Sequence, residues 1–124
     1  ELFITKDNKV IVNELAPRPH NSGHYTIEAC SFDQFDAHIR GIAGWPLEQP
    51  QLLKPAVMVN VLGQHVAPTR ALLADHPEWN VHDYCKAEVR HDRKMGHLTV
   101  LTDDTAKTVA DLEATGCWDD LKKA

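Results

Sequence analysis

The sequence predicts an α+β fold with mainly antiparallel pairing, and three observations carry that prediction. Apolar residues flank a turn-like KDNK near the N-terminus. A run at helical spacing follows Ser31. Beyond a proline-punctuated stretch come short strand-like segments separated by brief turns. At 124 residues the chain is one domain's worth of polypeptide, or the end of a larger protein, and can bury a real core. Glu1 is not a methionine and opens straight into a strand pattern, which points to a cut through a longer protein.

Phe3, Ile4, Val10, Ile11 and Val12 around KDNK read as a β-hairpin with Asp7-Asn8 at its tip. Pro17 and Pro19 then forbid a regular ladder, and Asn21-Ser22-Gly23 reads as a turn, so NELAPRPHNSGH is a loop rich in polar chemistry. Ser31 and Gln34 match the S-x-x-Q capping pattern and predict a helix start at Ser31. Phe32, Phe35, Ile39 and Ile42 share one face of that helix, and Gly44 stops it. Burying such a face contributes about 1.5–3 kcal/mol per side chain, so it calls for a partner surface. Trp45 to Pro55 is the best candidate boundary, which divides the chain into 1–45, a linker 46–55, and a small β-rich part 56–124.

In the second part, Ala56 to Leu62 reads as a buried strand and Thr69 to Asp75 as a short helix stopped before Pro77. Val81 to Val89 and Leu98 to Leu101 read as further strands with HDRKMG between them. Asp104 to Thr115 reads as an amphipathic helix with Val109 and Leu112 inward.

Composition narrows the function classes. Hydrophobic residues make up 43% and charged residues 25%, ordinary for a globular chain. No apolar run reaches membrane-spanning length, and ELFITKDN lacks the plan of a signal peptide. A net charge of −5 argues against a general nucleic-acid surface. Cys30, Cys85 and Cys117 are odd in number and far apart, which favours reduced thiols in a cytoplasmic protein.

Three clusters could carry chemistry. Glu1 and Glu14 lie at the outer ends of the two hairpin strands, where folding brings them together; such a pair suits Mg²⁺, although two solvated strand-end acids would look the same. In the loop, Arg18 offers a planar fork for carboxylate or phosphate, His20 a group that moves protons near neutral pH, and Asn21, Ser22 and Gly23 further donors. His20 and His24 are four apart, a zinc spacing on a helix, but Pro19 and Gly23 break such a helix. In KAEVRHDRKMGH, Lys86, Glu88 and Arg90 share a face at strand spacing and Arg93 and Lys94 follow. Four cations within nine residues form a local anion site, or an edge strand guarded by charge.

ELFITKDNKVIVNELAPRPHNSGHYTIEAC resembles the C-terminal portion of the 5-(carboxyamino)imidazole ribonucleotide synthetases, a purine-biosynthesis family of the ATP-grasp superfamily. The likeness continues through SFDQFDAHIRGIAGWPL, AVMVNVLG and KAEVRHDRKMGHLTVL, and so covers nearly the whole chain. It implies the C-terminal part of an ATP-grasp domain (β-hairpin, loop, helix) followed by a small, mainly antiparallel β domain with short helices. It implies a carbon–nitrogen ligase that uses ATP and bicarbonate, through carboxyphosphate, to carboxylate the amine of 5-aminoimidazole ribonucleotide. Glu1 and Glu14 then match acids that hold Mg²⁺ against ATP, with Asn13 beside them. Arg18 and His20 match residues of the bicarbonate and carboxyphosphate region, next to Asn21 and Ser22. Lys86 and Arg93 match cations that bind the nucleotide near its phosphate, and Arg90 and Lys94 belong to the same motif. The family's upstream domains are missing before Glu1, so the chain alone is expected to be inactive. The competing expectation is a non-catalytic phosphate-binding or dimerisation module, and the exposed hairpin edge predicts a homodimer.

Overall fold

Asn8 adopts φ 58°, a left-handed conformation that asparagine tolerates better than most residues, and it closes the turn between two short strands. A computed structural model describes residues 1–120 of the chain. In it, β1 (Leu2–Ile4) pairs antiparallel with β2 (Val10–Val12), with Leu2 opposite Val12. Thr5 N–H donates to Lys9 O at 2.9 Å and closes the tip. The hairpin's six apolar side chains all remain at least half exposed.

The loop after β2 runs into a single 3-10 turn at Asn21–Gly23, a one-turn helix α1 (Thr26–Ala29) and the longer helix α2 (Gln34–Ala43). The predicted Ser31–Gln34 cap is replaced by Asp33, whose carboxylate accepts from Phe35 N at 2.7 Å and Asp36 N at 2.9 Å. Ser31 instead accepts from Gln51 N at 3.0 Å, and Gln34 turns its amide to the loop. Gly44 ends α2 at φ 66°, as its position predicts. The helix face is not buried by the described residues: Phe35 is 43% exposed, Ile39 58% and Ile42 73%.

Residues 49–54 double back on the start of the helical segment. Leu53 N donates to Ala29 O at 2.7 Å and Ser31 N to Gln51 O at 2.9 Å, around a bridge between Cys30 and Leu52. The connection is thereby strapped to the segment it leaves.

The second part is built on a three-stranded antiparallel sheet. β3 (Ala56–Leu62) and β4 (Asn80–Asp83) flank a central β5 (Lys94–Leu101) in the order β3-β5-β4. Every residue from Met95 to Val100 is buried, because both faces of the middle strand are covered. Leu98 and Val100 point into a core with Val61, Trp79, Leu112, Cys117 and Trp118. His97 and Thr99 alternate to the opposite face, against which α1 packs.

The helix α3 occupies Val66–Leu72 rather than Thr69 to Asp75. It starts early because Pro68 falls in the first turn, where no intrahelical partner for its missing N–H is needed. The helix α4 (Thr105–Ala114) packs on β3 and is capped by Asp104, which accepts from Lys107 N at 2.9 Å. Leu112 faces inward as expected, whereas Val109 is 43% exposed.

Two strand boundaries differ from expectation. The predicted strand from Val81 to Val89 stops at Asp83, whose carboxylate accepts from Cys85 N at 2.8 Å and diverts the backbone to φ 51° at Cys85. The predicted Leu98 to Leu101 strand begins four residues earlier, at Lys94, after a turn with Asp92 at φ 58°. Residues 121–124, part of the predicted second domain, lie outside the described residues.

These packing differences set stability. In urea unfolding of this chain, Leu98→Ala should cost about 2–5 kcal/mol, while Ile42→Ala should stay within about 0.5 kcal/mol.

Candidate functional site

The hairpin brings the backbones of Glu1 and Glu14 together at its open end. Asn13 N donates to Glu1 O at 3.0 Å, and the Glu1 backbone nitrogen donates to Glu14 O at 2.7 Å. The Asn13 amide donates to Glu1 Oε1 at 2.8 Å, which fixes that carboxylate beside the strand end. Glu1 and Glu14 are exposed carboxylates, hard-oxygen groups of the kind Mg²⁺ takes.

The following loop is held by Gln34. Gln34 Oε1 accepts from His20 N at 2.7 Å and its Nε2 donates to His20 O at 2.9 Å, so a single amide brackets the backbone of His20. The same Nε2 lies 2.8 Å from His24 Nδ1. His20 Nδ1 meets Ser22 Oγ at 2.9 Å and also accepts from Ser22 N. Among the described residues Arg18 reaches Pro19 O, at 3.3 Å, and no other acceptor, which leaves most of its guanidinium donors open there. Asn21 and Ser22 stand in the 3-10 turn directly after His20.

The cationic ribbon is a loop, not a strand face. Since β4 ends at Asp83, Lys86, Glu88 and Arg90 are not aligned by a pleat. Lys86 Nζ donates to Lys94 O at 2.6 Å and lies 5.5 Å from the centre of the Tyr84 ring. Arg90 is paired with Glu88, and Arg93 donates to Glu88 O at 3.2 Å. Lys94 begins β5.

The ribbon rests on the turn after β3. A Cβ at Gly63 would stand 1.9 Å from Arg90 O, so only glycine lets the two backbones approach. Gln64 brackets Asp92, donating to its carboxylate at 3.0 Å and accepting from its N–H at 2.9 Å. Buried His65 accepts from Leu62 N at Nδ1, so Nε2 carries the proton that it donates to Asp120 at 2.8 Å.

Loop and ribbon meet through a column of rings. His82 of β4 stacks on His97 of β5 at 4.5 Å, His97 on His24 of the loop at 4.7 Å, and His24 on Phe35 of α2 at 5.7 Å. Tyr84 sits edge-on to His24 at 6.1 Å, and its hydroxyl shares a hydrogen bond with His97 Nδ1 at 2.9 Å. Glu28 of α1 binds His82 Nε2 at 2.5 Å. Burial, reinforced by His82 and His24, pushes the His97 imidazole down to about 4. Burial lowers His24 as well, with His82, His20 and Lys94 adding to the effect.

None of Glu28, His82, Tyr84 and His97 was singled out by sequence reasoning, and Gln34 only as a helix cap. Only the alternation of His82 in β4 with Tyr84 just after it and the placing of His97 beside Gly96 hint at them. Neither pattern differs from ordinary strand composition.

Two family models match this chain. Residues 1–35 match the ATP-grasp domain and residues 56–111 match the phosphoribosylaminoimidazole carboxylase C-terminal domain. The two matches together set an ATP-grasp segment ahead of that C-terminal domain. The chain is 56% identical over 109 residues to an N5-carboxyaminoimidazole ribonucleotide synthase of Staphylococcus saprophyticus, covering 87% of this chain and 29% of the relative. The crystal structure of N5-carboxyaminoimidazole synthetase from Staphylococcus aureus complexed with ADP superposes with a TM-score of 0.85 at 50% identity, covering 92% of this chain and 31% of that one. An Aspergillus clavatus N5-carboxyaminoimidazole synthase, solved with ADP and 5-aminoimidazole ribonucleotide, gives a TM-score of 0.78 at 33% identity, over 92% and 32%. Over the matched residues the chain is similar to the C-terminal part of the N5-carboxyaminoimidazole ribonucleotide synthases. It spans about 30% of the length of the relatives it matches.

Two predictions test the geometry. A histidine held below its usual value of 6.5 binds its proton more weakly folded than unfolded, so stability is full above about pH 6.5 and falls as pH drops toward about 4. Thermal melts of this chain should show that slope, and His97→Gln should flatten it. Gly63→Ala should cost about 1–3 kcal/mol in chemical denaturation, with the amide resonances of residues 88–93 displaced.

Proposed function

We propose that this chain supplies the C-terminal share of the active site of an ATP- and bicarbonate-dependent ligase that carboxylates the amine of 5-aminoimidazole ribonucleotide in purine biosynthesis. The observation that carries the reading is the joining of the donor-rich loop to the cationic ribbon across the His24, Tyr84 and His97 rings. On this reading, two clusters more than sixty residues apart in sequence serve one substrate region.

Arg18 and His20 are assigned to bicarbonate and carboxyphosphate, with Asn21 and Ser22 beside them. The open guanidinium of Arg18 and the amide bracket on His20 support this, since phosphoryl transfer rests on placed donors that meet developing charge. A carboxyphosphate hydrolyses readily, and a loop that binds and shields it serves the reaction. Lys86 and Arg93 are assigned to the nucleotide's phosphate. Arg90 is assigned to the outer part of the same site, where its guanidinium already carries Glu88. Glu1 and Glu14, with Asn13, would hold Mg²⁺ and the ATP phosphates. The ion supplies positive charge against the phosphate oxygens.

The chain divides, on this reading, into an ATP-grasp segment 1–45, a linker 46–55 and a C-terminal domain 56–124. A cytoplasmic location is consistent with three unpaired cysteines, and no helix among the described residues is long and apolar enough to cross a membrane.

A second reading, a dimerisation module, is favoured by the exposed hairpin and by the uncovered apolar face of α2. The two are separable. The longer protein should form ADP only with bicarbonate present, and faster with the aminoimidazole nucleotide, while residues 1–124 alone should form none. Arg18→Ala and Lys86→Ala should each lower turnover at least about 100-fold with melting temperature nearly unchanged. Equal loss of stability and turnover would count against these assignments. Light scattering of this chain should report a homodimer; a monomer at high concentration would remove the pairing.

A further inference from the structure

His97 touches both His24 of the loop and Tyr84, the ring over which Lys86 of the ribbon lies. It is 2% exposed, on the middle strand of the sheet, and it touches three separate elements. One ring face lies on His24, four residues from His20, and the other on His82 of β4. Its Nδ1 shares a hydrogen bond with Tyr84, two residues from Lys86. Its Nε2 is buried without a hydrogen-bond partner among the described residues, so His97 is held by two stacked faces and one edge.

Such an arrangement fixes two distances at once. Moving the ring toward β4 would uncouple His24 and release the loop. Losing the bond at Nδ1 would release the Tyr84 ring, over which the Lys86 ammonium lies. We infer that His97 is a positioning residue that sets the loop of Arg18 and His20 in register with the ribbon of Lys86 and Arg93. This rests on the function proposed above and adds to it the residue through which the two substrate regions are held together.

The charge of the surroundings fits a neutral ring. His82 and His24 face it directly, Tyr84 meets its edge, Glu28 binds the far side of His82, and Lys94 acts on His24. A proton on His97 would stand between two further imidazoles with no carboxylate in contact with it. Glu28 is committed to His82 and leaves its Oε2 buried without a partner. Neutral His97 keeps the stack closed through the physiological range.

The test uses the full-length protein and two variants. Tyr84→Phe removes only the hydroxyl, and His97→Asn keeps a polar edge while deleting the stacked ring. With Tyr84→Phe, KM for the aminoimidazole nucleotide should rise about 3- to 10-fold and KM for bicarbonate should stay within about 2-fold, the loss of one hydrogen bond. With His97→Asn, KM for bicarbonate should rise by at least about 10-fold, since the ring beneath His24 is gone, and saturating kcat should change less than either KM. Unchanged KM values in both variants, beside a wild type that turns over both substrates, would overturn the positioning role and leave the function intact. So would a loss confined to kcat. A wild type without bicarbonate- and nucleotide-dependent turnover would overturn the function, and this role with it. If His97→Asn fails to fold, Tyr84→Phe decides alone.

Discussion

The ring column from His82 through His97 and His24 to Phe35 joins the first part of the chain to the sheet, beside the Glu28–His82 hydrogen bond and the packing of α1 on β5. Each contact in it is modest, since stacked pairs contribute about 0.5–1.5 kcal/mol beyond their buried area. Their value lies in direction. A stack restrains rotation and lateral slip, and one edge of His97 is tied to Tyr84 as well. Without it, the loop is anchored by the amide of Gln34 and the hydroxyl of Thr26, both in the same first part of the chain.

The sheet makes the column possible. β5 is the middle strand, so residues alternating along it serve two unrelated purposes. Leu98 and Val100 hold the core with Trp79 and Trp118, while His97 on the other face receives the loop. A polar ring on a buried strand is costly unless its surroundings satisfy it. His97 is only half satisfied, with Nε2 unpartnered, a burden that a purely structural position would shed by becoming apolar. The strand's rigidity is lent to the site in the same way at Gly63, where the ribbon lies directly on the turn after β3.

The exposed surfaces carry a separate message. The hairpin, α2 and Trp45 leave a broad apolar area uncovered by the described residues. Their periodicity is that of buried elements, and the matched relatives are about three times as long. Helix α2 forms regardless, because Asp33 and Gly44 satisfy its ends and Arg40 pairs with Asp36 at 3.0 Å. Its local signals are sufficient without burial.

Local codes were legible in the residues. Asp7-Asn8 marked a turn, the alternation around it a hairpin, Gly44 a helix stop, and Ala56 to Leu62 a strand, since each depends on neighbours a few residues away. The hairpin also put Glu1 beside Glu14, because antiparallel pairing joins strand ends by construction. Register and competition were not legible. Asp33 took the cap expected of Ser31 because Gln51 claimed the Ser31 hydroxyl from twenty residues away. Asp83 cut a strand short by binding Cys85, which turned an expected row of cations into a loop. Sequence by itself determined the elements, the family likeness and the chemical types in loop and ribbon. Only tertiary structure decided that His24, Tyr84 and His97 would meet, because ring stacking depends on distances that no spacing along the chain encodes.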